Sequence, residues 1–382
     1  MISKHFHELG TVIPRIEFKS PLPVLDKKPD EGEKLKSHTG GYVSLWERDP
    51  VIWDRLHLDK TYTPSEYWKR LKEWLDKNID KLELVIPQNL RKLKTYNSMY
   101  TFILNNKGGI VDDLIISKVN IDDCDYFFLV YNAARKKIDQ EIISNLVSDV
   151  DILLDSTILA IQGPLSQNII NNLFPESKDM KFMQIITINY KNENILISRS
   201  GYTGEDGFEI FIPNKVITEF INKILSYEET LLCGLGSRDS LRLEAGLCLY
   251  GNELNENISP IQANLGWAIP KSRIKQGGFK GHKRILNEIN NGVNKKRVGI
   301  KLKSKSILRS HMTLHDNKEF KIGEITSGGF SPSLNISIAM AYIDTNIISE
   351  PIAINCLIRN NMEEVEITNL PFIQHNYKRG KQ

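Results

Sequence analysis

The chain is poor in the features that would place it quickly, and each shortage excludes something. Only four cysteines, Cys124, Cys233, Cys248 and Cys356, occur in 382 residues, without a CxxC spacing. That excludes a small disulfide-stapled scaffold and fits a reducing compartment. The eight histidines form no HExxH, so no metal is expected. No excess of one charge exists either: 50 basic against 47 acidic side chains leave a net charge of +3, which argues against nucleic acid as a partner. No run reaches the ~20 apolar residues of a membrane-spanning helix, and the best, DYFFLVYNA, is short and bracketed by polar residues, so a soluble protein without a membrane role is expected. There is no GxSxG and no base matched to a cysteine, so neither nucleophilic catalysis nor a covalently bound cofactor is expected. The first residues, MISKHFHELGTVIPRIEFK, mix bases with apolar side chains but carry glutamates, which makes an untidy presequence.

What is present is enough chain for two or three domains. Residues 20–42 are rich in Pro, Gly and alternating charge and read as linker. The stretch SEYWKRLKEWLDKNIDKL, 65–82, places Trp68, Leu71 and Leu75 at helical spacing. From about residue 98 short strands follow: MYTFIL, GIVDDLIISKV after the turn NNKGG, and DYFFLVYNA. Helices are expected in ARKKIDQEIISNLVSDV, in PLSQNIINNLF with its Pro-Leu-Ser start as a cap, and in NKVITEFINKILSY. Between them DSTILAIQGP, ENILISRS and FEIFIP read as strands, in repeated βαβ-like units. Leu241, Ala245 and Leu249 suggest a short buried helix with Arg238 and Arg242 one turn apart. Beyond about 290, VGIKL, GEITSGG, ISIAMAYI, EPIAINCLIR and EEVEITNL have the spacing of a small antiparallel barrel. The fold class is therefore α+β, with segments at 1–90, 91–292 and a C-terminal β-barrel at 293–382.

The most informative local motif is SRSGYTGEDGFEI, 198–210. A P-loop would need GxxxxGK[ST], yet here acids follow the glycines; a dinucleotide fingerprint would need GxGxxG between strand and helix, and this GxxGxxG lies between two strands. An EF-hand loop would need more oxygen ligands at alternate positions. A tight turn remains, either a plain hairpin with Tyr202 as packing, or a turn that presents Tyr202 and aims Glu209 at a flat heterocycle with several N–H donors, such as a pterin or purine.

Four stretches in order, KGGIVDDLI, GYTGEDGFEI, GLGSRDSLRLEAGLCLYGNEL and TSGGFSPSLNISIAMAYI, closely resemble the aminomethyltransferase, or T protein, of the glycine cleavage system, with similarity from about residue 92 to 378. The resemblance implies a three-lobed fold with folate in a central channel. It also implies a reaction in which the aminomethyl group on the reduced lipoyl arm of the H protein passes to tetrahydrofolate, releasing ammonia and forming 5,10-methylenetetrahydrofolate. Tetrahydrofolate is then a substrate and the lipoylated H protein the protein partner. By the same resemblance Asp113 is the catalytic aspartate, with Asp112 as runner-up; Glu209 holds the pterin ring and Tyr202 lines the pocket beside it. Tyr100 and Asn132 are further folate contacts, Arg238 binds a folate carboxylate, Tyr250 and Trp267 line the channel, and Tyr377 is the C-terminal substrate contact. Arg242 reads as a structural partner of nearby acids.

The first ~90 residues depart from the pattern, since the family's opening of the form SLFDVSHMG is not found and a Lys- and Trp-rich stretch stands in its place. A non-catalytic folate-binding or H-protein-binding homologue is therefore the alternative. Location is mitochondrial by resemblance, with the cytoplasm as the alternative.

Overall fold

The computed structural model describes residues 13–17, 77–121, 124–147, 150–153, 155–348 and 353–380. Trp68, Leu71 and Leu75 lie outside them; the helix expected there is seen over 77–85 (α1). Its Leu82 and Val85, with Ile86 just beyond, are buried in a hydrophobic core.

The first sheet has the order β2 (Asn97–Leu104), β3 (Ile110–Ile121), β4 (Cys124–Tyr131), β1 (Ile13–Glu17), β5 (Val150–Leu153). Strand β1 runs antiparallel to both neighbours, with Arg15 opposite Phe128 and Asp151. Against one face of this sheet α1 and α2 (Lys136–Leu146) bury Leu82, Ile86 and Ile143 among Ile103, Leu114, Ile116 and Leu129. The second sheet has the order β6 (Ser156–Gln162), β9 (Gly207–Pro213), β8 (Glu193–Ser198), β7 (Ile185–Tyr190), with α3 (Ser166–Leu173) and α4 (Asn214–Leu225) packed over Ile195, Ile197, Phe208 and Ile210. The two sheets meet through Val119, Tyr126 and Phe128 against Ile185, Leu196 and Phe211.

Two expectations are corrected here. The second sheet holds no parallel βαβ unit, because every pairing in it is antiparallel. The cause lies in the overlooked strand β7, IITINY, which joins β8 through a two-residue turn with Lys191 at φ 55° and Asn192 at φ 63°. Positive φ at both positions is the left-handed hairpin turn whose twist matches antiparallel strands. Likewise Ser166 does not cap α3; its hydroxyl donates to the Asp206 carbonyl, 3.3 Å away.

Helix α5 (Leu235–Glu244) begins in an exposed stretch and ends buried at Arg242, Leu243 and Glu244. Gly246, at φ 66°, stops it, with the Leu247 amide on the Arg242 carbonyl and the Gly246 amide on that of Leu243. Leu249 therefore lies beyond the helix, and the chain turns back so that Cys248 and Tyr250 pack beside β2 and β3. After α6 (Lys271–Gln276) and α7 (His282–Asn291), β10 (Lys295–Leu302) opens the barrel. Its strands close in the order β10, β13 (Ile336–Asp344), β12 (Lys321–Ser331), β11 (Thr313–His315), β14 (Ile354–Ile358), β15 (Asn361–Thr368), around a core that includes Ile300, Leu314, Ile325 and Ala341. This is the α+β fold with a C-terminal antiparallel barrel that the sequence implies.

Candidate functional site

Adjacent residues of β3 supply two carboxyls with different surroundings. Asp112 is fully buried, whereas Asp113 stays partly open. Asn132, one residue past β4, lies between them: its Nδ2 donates to Asp112 Oδ1 at 2.9 Å, to Asp113 Oδ1 at 2.8 Å and to the Asp113 carbonyl at 3.2 Å, and its backbone amide donates to Asp112 Oδ2 at 3.0 Å. On the far side of Asp113 the Tyr100 hydroxyl donates to Oδ2 at 2.9 Å. The Asp113 carboxyl is pushed up to about 7, first by burial and then by the Asp112 charge, while the bonds from Tyr100 and Asn132 hold it down. It is thus poised to titrate near neutrality.

Trp267, in the short helical turn 266–268, stacks on Tyr100 with ring centroids 5.8 Å apart and is 72% exposed, so it forms a rim over the Tyr100–Asp113 pair. Gln88 ties that turn to β2, donating to the Ala268 carbonyl at 2.5 Å and to the Tyr100 carbonyl at 3.2 Å. Tyr250 flanks the start of β3, its hydroxyl 3.4 Å from the Ile110 carbonyl and its ring under the Arg135 guanidinium at 4.9 Å. Tyr202 donates to the Cys248 carbonyl, and Arg238 lies over its ring at 4.8 Å. Burial raises the Tyr202 hydroxyl first; the Arg242 charge pulls it down and the Asp113 charge adds to the rise. Arg238 is exposed and makes no ion pair among the described residues, which leaves its charge for an anionic ligand.

The glycines of SRSGYTGEDGFEI have a packing reason. Gln162 of β6 crosses the turn, donating to the Ser200 and Phe208 carbonyls at 3.0 and 3.2 Å, and a Cβ on Gly201 or Gly207 would come within 1.8 or 2.5 Å of its amide group. The three acids of the motif also separate. Asp206 clamps the fully buried Arg199, with 2.9 Å from Nε to Oδ1, and Glu205 is held by the Asn376 side chain. Glu209 meets only the Ser200 hydroxyl, at 2.7 Å, among described side chains. Tyr377 is placed apart from the Asp113 group, stacked flat on Phe182 at 3.9 Å beside the start of β7.

Sequence reasoning missed Arg135, Glu256 and Asp139. Arg135 donates to the Val111 carbonyl at 2.9 Å and to Glu256 at 2.7 Å, pinning the strand that carries both aspartates. No local pattern announces that contact, since its partners lie 24 and 121 residues away. Among the described residues no three His, Cys, Asp or Glu side chains converge as a metal site.

Residues 77–273 match the model of the GCVT N-terminal domain, and residues 295–374 match that of the glycine cleavage T-protein C-terminal barrel domain. The chain belongs to the glycine cleavage T-protein family. Among its relatives is a protein of Schizosaccharomyces pombe named as a probable mitochondrial aminomethyltransferase, 35% identical over 381 residues that cover 98% of this chain and 92% of the relative. The mitochondrial aminomethyltransferase of Pisum sativum is 37% identical over 308 residues, 78% of this chain and 74% of its own. A crystal structure of the glycine cleavage system aminomethyltransferase T from Bartonella henselae superposes with a TM-score of 0.73 at 33% identity, covering 79% of this chain and 82% of that one. The fission-yeast alignment runs through most of the first 90 residues, so that stretch of this T-protein family member has a counterpart in at least one relative.

Proposed function

We propose that this chain is a tetrahydrofolate-dependent aminomethyltransferase of the glycine cleavage system, acting on the aminomethyl-dihydrolipoyl arm of the H protein. The observation that carries the reading is the partly open Asp113 carboxyl, held between Tyr100 and Asn132 at 2.9 and 2.8 Å and pushed up to about 7 by burial. In the reaction the aminomethyl carbon loses its bonds to nitrogen and sulfur and gains bonds to folate N5 and N10. An S–CH2–NH3+ group and two folate N–H groups become a thiol, an ammonium ion and 5,10-methylenetetrahydrofolate, so charge and protons balance. Positive charge develops on the transferred carbon and on the attacking nitrogens, and a fixed carboxylate beside them lowers its energy and can relay a proton. Asp113 fills that role. Tyr100 and Asn132 hold its two oxygens, so the carboxylate need not reorganise as charge develops.

Glu209 is assigned to the pterin N–H groups and Tyr202 to the pocket wall. Arg238 is assigned to a folate carboxylate, Tyr250 and Trp267 to the channel, and Tyr377 to the C-terminal substrate contact. The mitochondrial names of the relatives support a mitochondrial location. Glycine-loaded, lipoylated H protein mixed with tetrahydrofolate and this chain should release ammonia; folate binding without release would leave only a non-catalytic binding homologue.

Two further outcomes follow from the geometry. The rate should rise with pH through about 7 as Asp113 ionises, and Tyr100→Phe, which removes a bond that favours the carboxylate, should move that limb to higher pH and slow turnover at neutrality roughly tenfold. A pH profile of kcat that does not move would contradict the role given to Tyr100. Glu209→Ala should weaken tetrahydrofolate binding by roughly tenfold or more, because it removes the acceptor for the ring N–H groups. Unchanged affinity by calorimetry would undo that assignment.

A further inference from the structure

Behind Asp113 lies a carboxyl that the proposed chemistry leaves unused. Asp139, in the first turn of α2, is fully buried, and neither of its oxygens receives a hydrogen bond from an amide, hydroxyl or cation. The group it does meet is Asp112, whose carboxyl lies within hydrogen-bonding reach. Two carboxyls this close in a dry interior cannot both be charged, so one keeps a proton and donates it to the other. Asp112 already accepts two N–H bonds from Asn132, at 3.0 and 2.9 Å, which suits an anion; Asp139 accepts none. The proton therefore belongs to Asp139, whose carboxyl is pushed up to about 9 by burial first and the Asp112 charge next.

Other groups facing Asp139 do not change this assignment. Asp113 pushes its carboxyl further up and Arg135 pulls it down, and Tyr131 and Tyr250 are the other titratable side chains that interact with it. Arg135 does not pair with it, because its guanidinium is engaged by the Val111 carbonyl and Glu256.

We infer that Asp139 is a positioning residue for the transfer site: as a neutral acid it donates to Asp112, keeps Asp112 an anion seated on Asn132, and so fixes the amide that holds Asp113. The inference rests on the function proposed above. Asn132 Nδ2 serves acceptors on both aspartates, and a flipped amide would turn its oxygen toward Asp113. The Asp112 anion disfavours that flip. Its charge is also the second cause of the raised Asp113 carboxyl, so a change at Asp139 reaches Asp113 by two routes.

Two substitutions separate this role from packing. Asp139→Asn keeps a donor for Asp112 and should leave kcat and its pH profile close to wild type. Asp139→Leu keeps the branched shape, with methyl groups in place of the smaller oxygens, but removes the donor; kcat should fall roughly 10- to 100-fold, with KM for tetrahydrofolate little changed. Asp112, without its donor, becomes easier to protonate, so the acid limb set by Asp113 should move down by about one pH unit. Should Asp139→Leu fail to fold, infrared spectroscopy tests the pair directly. At a pH between the Asp113 value of about 7 and the Asp139 value of about 9, the wild type should show a protonated-carboxyl C=O band that Asp139→Asn removes. A folded Asp139→Leu variant with wild-type kcat and pH profile would overturn the positioning role, and an unchanged band would overturn the proton assignment. A wild type that releases no ammonia yet loses the band on substitution would overturn the proposed function, and the role in transfer with it, while leaving the carboxyl pair standing.

Discussion

Asp113→Asn is expected to slow ammonia release by about 10³-fold while leaving tetrahydrofolate affinity almost unchanged. The amide has nearly the same shape, and it can still accept from Asn132 Nδ2 and donate to the Tyr100 hydroxyl, so the pocket is kept. What is lost is the negative charge beside the carbon and nitrogens that become positive. The same substitution should make the protein more stable in mild alkali. The folded-state carboxyl titrates at about 7 against a reference of 3.8, so its contribution to stability is complete below the unfolded value and is lost as pH rises through 7. Above that, the wild type bears the cost of a poorly solvated charge, on the order of 1–2 kcal/mol once the partial opening of the site is allowed for. Melting curves should show the variant above the wild type at about pH 8, with the gap closing toward pH 4. Single-turnover rates within tenfold of wild type would remove Asp113 from the chemistry.

Arg242→Ala should cost about 3–5 kcal/mol in chemical denaturation. Arg242 is 2% exposed and joins three parts of the molecule: Glu253 Oε2 at 3.0 Å, Ser327 Oγ of β12 at 2.9 Å and Asp239 Oδ1 at 2.8 Å. Removing it strands Glu253, which is fully buried and otherwise meets the Leu249 amide and the Thr326 hydroxyl. An unpaired buried carboxylate is much of the penalty, so adding Glu253→Gln to the variant should recover a substantial part of it. A loss below about 1 kcal/mol would mean that this network does not hold α5 to the barrel.

Much of the architecture is legible in the sequence because alternation and apolar spacing are local properties. β2, β3, β4, β8, β9 and most of the barrel strands carry their own period-2 or β-rich signature. β1 does not: IPRIE contains a proline and is a strand only because β4 and β5, more than a hundred residues on, provide both edges. β7 was invisible for another reason. Its turn, Lys191-Asn192, lacks the glycine that usually marks a left-handed hairpin, so the antiparallel order of the second sheet could not be read.

The candidate site divides in the same way. Motif resemblance alone singled out Asp113 and Arg238, while the glycine turn by itself offered Tyr202 and Glu209 and its spelling excluded a phosphate cradle. Tertiary structure decided which of its acids is available: Asp206 is consumed by Arg199 and Glu205 by Asn376, leaving Glu209. It also decided why the flanking glycines are needed, since Gln162 comes from a strand some forty residues earlier. Asp139 shows the limit most clearly. In sequence it is an ordinary acid in the first turn of a helix, the position that favours one. Only folding brings it against Asp112, and a carboxyl's protonation is set by the groups around it in space, which no local pattern records.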